Sequence, residues 1–138
     1  MSAVSGIPTR YLYASTDSLL RFAMRADATV TALCGLAIAV FADPLSSLIG
    51  LPSVVEYGVG VFFVLYGLAV LSLAALPNLR NAGVAVVGAN IAFTVGAVGA
   101  AEAMPLTASG VAASMVSAVY TTVFAALQYL GVRRLATV

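Results

Sequence analysis

The sequence predicts an all-α polytopic membrane protein, a bundle of four transmembrane helices running up-down-up-down with both termini on the cytoplasmic side. Three observations carry this expectation. First, 62% of the 138 residues are hydrophobic and only 8% are charged, with a mean hydropathy of +1.10. A soluble domain carries about 25% charged residues, so a chain this apolar has too little polar surface to face water. Second, four long segments lack charge: Ala28 to Ala42, Tyr57 to Leu79, Asn81 to Ala101 and Ala103 to Val132. Third, all six basic residues are arginines, and in a four-span arrangement all six fall on one side.

A membrane helix needs about 20 apolar residues. The last three segments meet this directly, which places spans at 54–76, 81–101 and 107–132. The first segment is short unless its helix begins earlier. Asp17 suits an N-cap, and Arg21 and Arg25 can snorkel to the headgroups. The first span is therefore expected at 18–42. Pro44, Pro52, Pro77 and Pro105 all fall between spans and Pro8 lies in the N-terminal tail, as expected if proline breaks helix hydrogen bonding. The connection from Asp43 to Ser53 has room for a short interfacial turn, because Leu45, Leu48 and Ile49 share one helical face. The whole chain, 1–138, reads as one domain. Val40-Phe41-Ala42 before Asp43 has the form of a signal cleavage site, but the apolar stretch from Phe22 to Ala42 is longer than the h-region of a secretory signal.

Orientation follows from charge. Arg10, Arg21 and Arg25 precede the first span, Arg80 lies between the second and third, and Arg133 and Arg134 follow the fourth. Short cytoplasmic loops carry the positive excess. Asp43, Glu56 and Glu102 fall on the opposite side, where Glu56 and Glu102 read as solvated boundary residues. Tyr11, Tyr13 and Tyr129 would form the inner aromatic belt and Tyr57 the outer one.

Composition also excludes chemistry. There is no histidine, so the commonest metal ligand and neutral-pH general base is missing. A single cysteine, Cys34, permits no intrachain disulfide and reads as a small packing residue. Without lysine no Schiff base can form. A net charge of +1 argues against nucleic acid. No phosphate-binding loop, nucleophile elbow, zinc-protease motif or paired carboxylates occur. The expectation is a non-enzyme with no catalytic residue, no cofactor and no metal.

The informative residues are polar ones inside the spans. On the fourth span Gly110, Ser114, Ser117, Thr121, Ala125 and Gln128 share one face, opposite Val116, Val119, Val123, Leu127 and Leu130. The third span carries Gly88, Ala92, Gly96 and Ala100, a small-xxx-small pattern that lets helices approach closely within the bundle. The first aligns Asp27, Thr31 and Cys34 or Gly35. Asp27 is the acid placed within a span, expected shallow, at the depth of Gln128 and with arginines near enough to pair. It is either a proton or cation site or a structural anchor, and its shallow depth favours the anchor. Deeper, Tyr66 and Asn90 each lie twelve residues from Asn78, and Tyr120 falls near their level. These three form either a polar pocket or a packing network, and buried polar groups in hydrocarbon need partners in either case. The candidate intramembrane polar site thus comprises Asp27, Thr31, Tyr66, Asn90, Thr94, Ser117, Tyr120, Thr121 and Gln128.

The stretch Leu20-Arg21-Phe22-Ala23-Met24-Arg25-Ala26-Asp27, then Leu33-Cys34-Gly35-Leu36, resembles uncharacterised small four-helix integral membrane proteins of actinobacteria. The Pro44-Leu45 to Leu51-Pro52 loop and the ending from Ala125 to Arg134 extend the likeness over most of the chain. It implies a four-helix membrane fold and brings no activity with it. Two function classes remain. One is a non-catalytic accessory or assembly subunit in the cell membrane, bound to a larger membrane complex or to further copies of itself. The other is a small oligomeric transporter or channel with a polar bundle interior.

Overall fold

The computed structural model describes residues 9–135. They form five helices: α1 (Thr9–Val40), α2 (Ala42–Ile49), α3 (Ser53–Leu73), α4 (Arg80–Ala103) and α5 (Ala108–Arg133). Four of these are long and apolar enough to cross a bilayer, which makes the chain a multi-pass helical membrane protein. Pro8, and the side chains of Arg10, Tyr11 and Tyr13 expected at the inner interface, lie outside the described residues.

Proline explains where helices stop. A proline ring clashes with the carbonyl four residues back. For Pro44 that residue is Val40, where α1 ends; for Pro77 it is Leu73, where α3 ends. The first span therefore stops two residues before the expected 42, and the second three residues before 76. Pro44 itself sits in the first turn of α2, where its missing N–H leaves no bond unmade. Met104, before Pro105, is extended as a pre-proline residue should be. The expected interfacial turn is α2, and Gly50 closes it at φ 96°, in the left-handed region that favours glycine.

The start of α1 departs most from expectation. The helix begins at Thr9 rather than Ser18, because no glycine or proline interrupts residues 9–17. Asp17 is no N-cap. It lies inside the helix and forms an i,i+4 ion pair with Arg21 at 2.8 Å. Arg21 also donates to the Ala74 and Leu76 carbonyls at 2.5 and 3.0 Å, satisfying backbone groups left open beyond α3.

Helix α1 is central. Against α3 it sets Ala28, Ala32, Gly35 and Ala39 opposite Gly67 and Gly60. A Cβ on Gly35 would stand 2.6 Å from the Gly60 carbonyl oxygen, and one on Gly67 2.6 Å from the Ala28 carbonyl oxygen, so the two backbones lie close along this line. Leu20 of α1 lies over Gly131 of α5 and Gly83 of α4. These residues adjoin a core of Leu20, Met24, Val70, Leu79, Val86 and Val132. Helix α4 packs chiefly on α5. It meets α3 through rings, with Phe93 at 5.3 Å from Phe63 and 6.0 Å from Phe62.

The small-residue stripe of α4 is not consumed inside the bundle. Gly88 and Ala92 are exposed, and no heavy atom lies within 4 Å of a Cβ built on Gly88 or Gly96. Helix geometry gives the reason. Asn90 is two residues from Gly88, about 200° around the helix. Burying Asn90 turns Gly88 outward.

Candidate functional site

Asp27 lies within α1, in the candidate span Thr16–Val40. It is 1% exposed, and Asn90 of α4 and Gln128 of α5 are 3% and 0% exposed. Each carboxylate oxygen of Asp27 accepts two hydrogen bonds. Oδ1 takes Tyr120 Oη at 2.9 Å and Thr31 Oγ1 at 3.1 Å. Oδ2 takes Asn90 Nδ2 and Gln128 Nε2, both at 2.9 Å. Asn90 Nδ2 also donates to Gln128 Oε1 at 2.7 Å. Tyr120 Oη approaches the Asp27 carbonyl at 3.1 Å as well.

Two corrections follow. The two expected polar layers are one layer, since Asp27 and Asn90 touch. Among the described residues no arginine pairs with Asp27; neutral donors satisfy it instead. An ionised carboxylate has about four acceptor sites, and here all four are occupied. That arrangement leaves no lone pair for a cation and holds three helices together.

Thr94 extends the layer. Its hydroxyl donates to the Asn90 carbonyl at 3.0 Å and lies 2.6 Å from Thr121 Oγ1. Ser117 stays outside this network, exposed and bonded to the Ala113 carbonyl. Tyr66 is the second exception: its buried hydroxyl has no hydrogen-bond partner. The expected network of Tyr66, Asn90 and Tyr120 therefore does not form. It assumed that α3 and α4 pack as a hairpin, whereas α3 packs on α1. A cavity of about 190 Å³ opens where the hairpin interface was expected, with Thr31, Tyr66, Asn90, Ser117, Tyr120 and Thr121 in its wall. Cys34 also lines it and is exposed, not packed in the core.

One polar residue escaped the sequence reading. Glu56, in the first turn of α3, is no solvated boundary residue: it is 6% exposed and its Oε1 has no hydrogen-bond partner. The spacing held a signal. Glu56, Gly60, Phe63, Gly67 and Val70 recur at alternating steps of four and three, a single helical seam. Glu56 borders a cleft of about 560 Å³ between α3, α4 and α5, continuing past Phe63 and Phe93. Glu102, by contrast, is exposed. No group of three or more histidine, cysteine, aspartate or glutamate side chains comes together among the described residues. Compared with known proteins, the chain matches no family model, no curated protein and no solved structure.

Proposed function

We propose that this chain is a non-catalytic subunit of the cell membrane that assists or assembles a larger membrane complex, and that it meets its neighbour through the outer face of α4. The observation that carries this reading is an unpartnered seam. Val84, Gly88, Ile91, Val95 and Val98 follow one another at steps of four, three, four and three, and all five are exposed. That is the spacing of a helix–helix contact line. Gly88, second in the seam, leaves open space for a facing helix. The saturated Asp27 layer agrees, since that carboxylate is occupied in tying α1, α4 and α5 into a rigid bundle.

The up-down-up-down arrangement is supported by residue pairing. Ala28 and Gly35 of α1 meet Gly67 and Gly60 of α3, and Leu20 and Asp27 meet Gly131 and Gln128 of α5. Asn90 and Thr94 of α4 meet Gln128 and Thr121 of α5. In each pair the numbers rise on one helix as they fall on the other. Cytoplasmic termini are supported by the one-sided arginines.

A transporter is the second reading, and the 190 Å³ cavity against Asn90 and Tyr120 favours it. Reconstitution of the purified protein alone in liposomes separates the two. The subunit reading expects no proton, cation or solute flux above protein-free liposomes. Flux abolished by Asp27→Asn or Asn90→Leu would overturn it.

A further inference from the structure

We propose that the cleft between α3, α4 and α5 binds a free organic cation with an apolar body, its charge on the Glu56 carboxylate and its body against Phe63 and Phe93. Three observations converge there. Glu56 is more than nine-tenths buried, borders the cleft, and leaves Oε1 without a partner. A buried carboxylate oxygen without a hydrogen-bond partner is costly, and no basic residue lines the cleft to offset that. Phe63 and Phe93 present aromatic surface further in, and such rings attract onium groups and apolar bodies alike. Gly96 and Ala92 keep the α4 wall low, with open space beside Gly96.

Size and shape fit a small molecule. The volume of about 560 Å³ lies inside the range of roughly 300–1,000 Å³ typical of ligand sites. Seven residues separate Glu56 from Phe63, about 10 Å along the helix. The ligand would therefore hold its charge toward the helix end and its apolar part deeper in the membrane. A second copy in the same orientation cannot supply the cation, because all six arginines lie at the other end of the spans. The cleft also lies on a different side of α4 from the Val84–Val95 seam, so this inference stands independently of the subunit reading.

The test is equilibrium dialysis of radiolabelled tetraphenylphosphonium against the purified full chain in dodecyl maltoside, a non-ionic detergent with no competing ammonium headgroup. One saturable site is expected. Glu56→Gln should weaken binding at least tenfold. Gly96→Leu should abolish it by filling the cleft, while elution and helicity stay unchanged because Gly96 borders open space. Tetraphenylborate, the anion of the same shape, should not compete. If Glu56→Gln fails to fold, Gly96→Leu and the anion control still decide. The proposal is overturned if wild type shows no saturable binding, if binding survives Gly96→Leu, if folded Glu56→Gln binds as wild type does, or if the anion competes as well as the cation.

Discussion

Replacing Asp27 by leucine removes four hydrogen bonds at once, two on each carboxylate oxygen. Interhelical hydrogen bonds in membrane proteins average about 0.6 kcal/mol. Three of the four cross between helices, the Thr31 bond lying within α1, and they come to about 1.8 kcal/mol, or roughly a twenty-fold shift in the unfolding equilibrium. The loss is bounded, because Asn90 keeps Gln128 Oε1 and Tyr120 keeps the Asp27 carbonyl. Asp27→Asn should behave differently. Its amide oxygen can still accept from Asn90 and Gln128, while its NH₂ faces Thr31 and Tyr120, whose hydroxyls rotate to accept. That variant should lose less than about 1 kcal/mol, since all four contacts survive in reoriented form. Unfolding in mixed dodecyl maltoside and dodecyl sulfate micelles, followed by tyrosine near-ultraviolet circular dichroism, reads both. The saturated-anchor account fails if Asp27→Leu unfolds at the wild-type sulfate fraction, or if Asp27→Asn is as damaging as Asp27→Leu.

Three further outcomes are expected. Gly35→Ala should destabilise by about 1–3 kcal/mol through overpacking against the α3 backbone, whereas Gly88→Ala should be neutral or stabilising in the same unfolding assay; equal losses would contradict the packing described. Thr107 caps α5 by accepting from Gly110 N at 3.0 Å, so Thr107→Ala should cost about 1 kcal/mol and Thr107→Ser much less, as micellar melting would show. In a Cys34→Ala background, single cysteines at Ser47 and Glu102 should react with an impermeant thiol reagent on intact cells. Those at Asn78 and Thr137 should not, and strong labelling of either would overturn the orientation.

The bundle itself was legible because hydrocarbon imposes length and apolarity on every span, and because prolines mark the breaks. Even the offsets at Val40 and Leu73 follow from the proline four residues on. The start of α1 was misread because Asp17 resembles a cap, although nothing in residues 9–17 prevents helix. Helix pairing was less legible. Short loops suggest that sequential spans are neighbours, which holds for α1 with α3 and for α4 with α5, yet α3 and α4 pair little beyond the rings of Phe62, Phe63 and Phe93. The small-residue pattern of α4 competed with Asn90 for the inward position, and the amide prevailed because a buried polar group needs partners whereas a glycine does not. Tyr66 consequently lost its expected partners. Glu56 was hidden by its place in a first turn, where acids usually meet water and the helix dipole.

The central claim is that the α4 seam meets a different membrane protein. Photo-crosslinking in the cells that make the chain tests it directly, with p-benzoyl-phenylalanine placed at Val95 on the seam or at Val119 on the exposed face of α5. Val95 should give one discrete adduct containing a second, larger chain, lost when Ile91→Arg places a charge on the seam, while Val119 gives none. No adduct at Val95, the same adduct from both positions, or an adduct of twice this chain's own mass would contradict the claim.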